Sequence, residues 1–168
     1  TQSGATQNNL VSNISDTIPA HGFLLIAHPE SYASPSADVL YSTGEAIAAN
    51  NTITLYSSAG TGDLVDLVGF GTASVNETSP ATAPAVDQSL ERKASSTADS
   101  PSMGPGGSEE TAGNGQDTNN NSNDFVTRAS PQPQNSESDT DPVAPSPTIP
   151  PTPTPTGEPT PTDTPTPT

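Results

Sequence analysis

The sequence predicts an all-β fold of sandwich type, with long irregular loops and an extended tail. Three observations point there. Apolar residues concentrate between positions 18 and 70 in short runs with strand character. Gly, Ser, Asn and Pro, the residues of turns, separate those runs. Only 28% of the 168 residues are hydrophobic and 4% aromatic, too few to fill a core spanning the whole chain. That leaves a small core held in irregular segments, or a largely disordered chain.

In chain order, GFLLIAH (22–28) is apolar on both alternating faces, the pattern of a strand buried at the centre of a sandwich, bounded by Pro19 and Pro29. DVLY (38–41) is a second, weaker strand. Residues 44–49, GEAIAA, read as one helical turn that redirects the chain, too short to stand alone. TITLY (52–56) alternates cleanly and predicts Ile53 and Leu55 inward, with Thr52, Thr54 and Tyr56 outward. LVDLVGF (64–70) follows a Gly/Ser-rich loop, and the two runs predict an antiparallel hairpin. Beyond Gly71, two islands stand out: SLERKA (89–94) and DFVTR (124–128), each long enough for a short strand. A loop of turn residues, GPGGSEETAGNGQDTNNNSN (104–123), lies between them.

From Asp141 onward the chain is Pro/Thr-rich and holds more than half of its 20 prolines. Proline fixes φ and lacks an amide donor, so a disordered, semi-rigid polyproline-type linker is expected over 141–168.

Charge excludes several function classes. Nineteen acidic groups face only Arg92, Lys93 and Arg128, giving a net charge of −16. Phosphate backbones and anionic lipid surfaces are bound by Lys and Arg, so direct nucleic-acid or membrane-surface binding is not expected. No apolar run reaches the roughly 20 residues that span a bilayer as a helix. With no cysteine, disulfides and thiolate metal sites are excluded.

Five segments in this order resemble the lamin-tail domain as it occurs in secreted bacterial proteins. They are IPAHGFLLIAH (18–28), NNTITLYSSAGTGDLVDLVGFG (50–71), SLERKA (89–94), GNGQDTNNNSNDFV (113–126) and PQPQNS (131–136). The resemblance implies an immunoglobulin-like β-sandwich over 18–140 and an extracellular, non-enzymatic role. The Asn-Glu and Glu-Trp-Ile-Glu-Leu-like strands with which that family opens are absent, and the chain has no tryptophan. The expectation is therefore an N-terminally truncated domain, with residues 1–17 as a partial strand and loop region.

The motifs that could carry chemistry are few. Asp117, Asn119, Asn121 and Asp124 place oxygens at alternating positions, as a calcium loop does. Ser122 stands where the EF-hand pattern needs Gly, and Arg128 where it needs Glu, so a structural Asx-turn loop is the preferred reading. Ca²⁺ is the cofactor such an oxygen set would suit. His21 and His28 flank one predicted strand and point to opposite faces, which suits ordinary strand-end histidines. Asp66, inside an apolar strand, is expected to face solvent, accept backbone amides, or pair with Arg92 or Arg128. No G-x-S-x-G occurs, and Gly69-Phe70-Gly71 lacks the third glycine of a dinucleotide loop. The sequons at Asn13, Asn50, Asn76 and Asn120 are expected by chance in an Asn/Ser/Thr-rich chain.

The expected function is a non-catalytic, extracellular or cell-surface accessory or adhesion module. Its partners would be other domains of a larger secreted protein and a cell-wall, glycan or protein ligand. The alternative is an accessory segment of a secreted nuclease or phosphoesterase whose catalytic domain lies outside this segment.

Overall fold

A computed structural model describes residues 2–3, 6–30, 33–58 and 62–141. Its elements are β1 (Gln2–Ser3), β2 (Thr6–Gln7), β3 (Ile26–Ala27), β4 (Val39–Leu40), β5 (Thr52–Tyr56), β6 (Leu64–Gly69), β7 (Ser89–Arg92), α1 (Asn121–Asp124) and β8 (Phe125–Arg128). Among the described residues the chain is strand-dominated with almost no helix. The described strands form one four-stranded sheet, in the order β2-β1-β5-β6, and two two-stranded sheets, β3-β4 and β7-β8. Among the described residues no helix is long and apolar enough to cross a membrane.

The predicted hairpin is present. β5 and β6 pair antiparallel from Thr52 opposite Gly69 to Leu55 opposite Asp66, with a register shift before Tyr56. Ser57 and Asp63 close the loop mouth: the Ser57 amide donates to the Asp63 carbonyl at 2.9 Å, and the Asp63 amide to Ser57 Oγ at 3.0 Å. At Thr52, Ile53 and Leu55 the facing is the reverse of the expected one, while Tyr56 is exposed as expected. Thr52 is 1% exposed, whereas Ile53 and Leu55 are 38% and 49% exposed. The cause is space. The chain returns over the Thr52 face so closely that a Cβ on Gly69 would overlap the Val75 carbonyl and the Asn76 side chain. Thr52 fits there and uses its hydroxyl, donating to the Val75 carbonyl at 2.6 Å. Ile53 and Leu55 instead line an open groove of about 370 Å³ shared with Leu10, Val11, Ile14 and Ile26. Residues before position 18 also complete the sheet, since β1 pairs with β5 through Gln2 opposite Thr52.

The predicted central strand over 22–28 contracts to the two residues of β3, parallel to β4. Its first half is occupied otherwise. The Gly22 amide closes a turn onto the Pro19 carbonyl at 2.9 Å, with His21 at φ 61°. The Leu25 amide bonds the Asp38 carboxylate at 2.7 Å rather than a strand. Side-chain oxygens compete here with the ladder, and only two residues pair. The expected helical turn at 44–49 is also absent. A single turn forms, with the Glu45 amide on the Ser42 carbonyl at 3.0 Å.

Both downstream islands are strands, and they pair antiparallel from Ser89 opposite Arg128 to Arg92 opposite Phe125. Between them, the Glu109 carboxylate takes the hydroxyls of Ser95 and Ser102 at 2.6 and 2.7 Å, which hold it below the usual carboxylate range. Farther on, the chain returns to the β3-β4 region. Asn135 donates to the Ser36 carbonyl at 2.9 Å, the Ser136 amide to Asp38 at 3.0 Å, and the Asp141 amide to the His21 carbonyl at 3.0 Å. The Leu25 amide, with the Ser136 hydroxyl and amide, lowers the Asp38 pKa. The Pro/Thr-rich segment expected as a linker lies, after Asp141, outside the described residues.

The buried residues are as often polar as apolar. Ala27, Leu67, Phe70, Ala81, Ala98 and Met103 are buried, and so are Asn51, Thr52, Asn121, Asp124, Arg128 and Asn135. Three of the six apolar ones are alanines, so hydrogen bonds must order much of this interior.

Candidate functional site

The polar turn at 117–124 is built by its own side chains. Asp117 Oδ1 accepts the Asn119 amide at 3.0 Å, and Asn119 takes the left-handed conformation, φ 55°, that Asn tolerates better than most residues. Asn120, extended at φ −147°, caps α1 by accepting the Ser122 amide at 3.2 Å and its hydroxyl at 2.9 Å. Asp124, fully buried, gathers the turn. Its Oδ2 accepts the amides of Thr118 and Asn120 at 2.9 and 3.2 Å, and its Oδ1 the Thr118 hydroxyl at 2.8 Å.

This turn is fastened to the outer edge of β6. Asn121, also fully buried, accepts the Gly69 and Glu77 amides at 2.9 and 3.0 Å. Its Nδ2 donates to the Leu67 carbonyl at 3.0 Å and to Glu77 Oε2 at 2.7 Å. All four hydrogen-bonding positions of the amide are filled. The Asn121 and Ser122 amides bond the Glu77 and Ser79 carbonyls at 3.1 and 3.0 Å, and the Thr78 hydroxyl bonds the Asn119 carbonyl at 2.8 Å.

Arg92 links the turn to the sheet from the other side. Its Nη2 bonds both Asp66 oxygens, at 2.8 and 2.6 Å. Its Nη1 donates to the Gln116 carbonyl at 3.1 Å and lies 3.9 Å from Asp117 Oδ1. The guanidinium sits 4.7 Å above the Phe125 ring centroid. The pairing of Asp66 with Arg92 is one of those expected. Arg128, 4% exposed, pairs with Glu91 and donates to the Met103 carbonyl at 2.7 Å.

Of the four sequence-derived metal candidates, the fold brings two, Asp117 and Asp124, together with Glu77, with one carboxylate oxygen of each within 4.8 Å of the others. Asn119 takes a left-handed conformation in the turn, and the Asn121 oxygen faces two amides. Glu77 carried no sequence signal, because it lies in a run of Thr, Ser and Asn far from the calcium-like spacing. Burial raises the Glu77 pKa, the Asp117 and Asp66 charges raise it further, and Arg92 and Asn121 oppose them. For Asp124 burial also favours the neutral form. The Thr118 amide and hydroxyl, the Asn120 amide and Arg92 outweigh it and leave the pKa lowered. Three of the roughly four acceptor positions of Asp124 are thus taken by protein donors, and the Arg92 charge already sits beside the group. The histidines stand elsewhere: His21 in the turn before β3, and His28 edge-on to Tyr41 at 5.5 Å, its Nδ1 accepting the Glu30 amide.

Asn121→Ala strands two amide donors and a carbonyl and should destabilise the chain by about 3 kcal/mol or more in urea unfolding. Asn121→Asp keeps the acceptors but sets a carboxylate against Glu77. Its deficit should shrink on acidification; a pH-independent deficit would count against this geometry.

The shifted carboxylates predict a stability maximum on the acid side of neutrality. The raised Glu77 pKa means stability increases as pH falls through that pKa towards its ordinary 4.5. The lowered pKa values of Asp38, Glu109 and Asp124 mean stability is lost below the ordinary values of 3.8 to 4.5. Melting temperatures across this range should trace that rise and fall. Excess calcium should leave the melting temperature unchanged, and a concentration-dependent increase would make the Glu77, Asp117 and Asp124 group a cation site.

Comparison with protein-family models, curated proteins and solved structures returns no match to this chain.

Proposed function

We propose that this chain is a non-catalytic accessory or adhesion module, working outside the cell or at its surface. In this reading it is an immunoglobulin-like sandwich of the lamin-tail kind, joined by its Pro/Thr-rich run to other domains of a larger secreted protein. The observation that carries the proposal is the use of the polar side chains in the one place where acidic groups converge among the described residues. Asp124, Asn120 and Asn121 are bonded to backbone donors, and Arg92 is bound to Asp66. Such groups hold a surface in shape; they are not poised for proton transfer or nucleophilic attack. The acidic charge supports a partner other than nucleic acid or an anionic membrane.

Retention on immobilised peptidoglycan, polysaccharide and glycoprotein surfaces tests the reading. Saturable retention on one of these, competed by its soluble form, is the expected result. Passage of the folded chain through all three without delay would reject an adhesive role.

A further inference from the structure

Asn114-Gly115 is the one Asn-Gly pair in the sequence, and it lies in the loop between β7 and α1. Both residues are exposed. Among the described residues the Gly115 amide meets no acceptor, and a Cβ built on Gly115 would meet no atom within 4 Å. Gly113, just before, sits at φ 82°, so glycines flank Asn114 on both sides. The Asn114 side chain anchors the loop, because its Nδ2 donates to the Arg92 carbonyl at 2.6 Å and to Glu91 Oε1 at 3.4 Å. Gln116 continues the attachment, with its amide on the Lys93 carbonyl at 2.9 Å and its carbonyl under Arg92 at 3.1 Å.

We propose that Asn114 is a spontaneous modification site, at which deamidation converts a loop-holding donor into a repelling carboxylate. The Gly115 nitrogen, having given its proton to water or hydroxide, attacks Asn114 Cγ. The new C–N bond forms as the Cγ–Nδ2 bond breaks, and ammonia leaves with the proton it needs. Water then opens the five-membered imide at either carbonyl, giving aspartate or its β-linked isomer. Glycine at 115 favours the step because no side chain shields the attacking nitrogen and the backbone turns freely. Asn51, Asn121 and Asn135 are buried and precede larger residues, which hinders the same attack there. The product loses the donor to the Arg92 carbonyl and places a negative charge beside Glu91. The strand β7 thereby loses part of the loop that packs on Arg92.

The test holds the folded, full chain in mildly alkaline buffer and maps its peptides by tandem mass spectrometry over time. Acid at position 114 should accumulate several-fold faster than at any other asparagine, and faster as hydroxide increases. Gly115→Val, which the open space accommodates, should slow it several-fold at unchanged melting temperature. Conversion at 114 no faster than elsewhere, or undiminished in Gly115→Val, would overturn the site. Asn114→Asp reads the consequence independently. Its Gln116 amide should exchange with deuterated water several-fold faster than in the parent chain, and unchanged exchange would overturn the loosening.

Discussion

The arrangement of this chain depends on one buried amide. Asn121 occupies the outer edge of β6, where it takes the place of a neighbouring strand: its oxygen receives the Gly69 amide and its nitrogen meets the Leu67 carbonyl. An open strand edge offers a row of unpaired donors and acceptors, and folded proteins cover such rows. Here one side chain and its neighbours do so. Asp66 Oδ1 accepts the Leu67 amide at 2.9 Å, and the Ala81 amide reaches the Gly69 carbonyl at 2.9 Å. The 117–124 turn therefore reads as an edge cover. Its acidic residues, Asp117 and Asp124, bond the backbone amides of the turn that carries Asn121.

Composition explains why the interior takes this form. So few large apolar residues cannot define a unique packing by shape, and the buried alanines contribute little area each. Directional bonds between satisfied polar groups specify the geometry instead. Two of the chain's three cations take part. Arg92 joins β6 to the turn through Asp66 and Gln116, while Arg128 joins β8 to β7 through Glu91 and to the buried Met103. The same polar interior makes the fold sensitive to protonation, because several of its acceptors are carboxylates.

Reading the sequence succeeded where the signal was local. The hairpin of β5 and β6 follows from two β-branched runs around a glycine-rich loop, and both downstream islands form strands. A carboxylate in an apolar strand calls for solvent, backbone amides or an arginine, and Asp66 takes both the Leu67 amide and Arg92. It failed at Ile53 and Leu55, where alternation identifies two faces without saying which one the returning chain will cover. It failed at 22–28 because Asp38, which is distant in sequence, supplies the acceptor that the Leu25 amide takes. Glu77 was invisible for the same reason: its significance comes from residues some forty positions away.

The sequence by itself determined the strand-rich class, the hairpin, the polar turn at 117–124 and the acidic surface, since all of these arise from neighbouring residues and total charge. Tertiary structure alone decided which face of the hairpin is buried, how short β3 is, and which carboxylates converge. The physical reason is that these depend on steric room at Gly69 and on acceptors brought from far along the chain. Neither leaves a periodic trace in the residues they control.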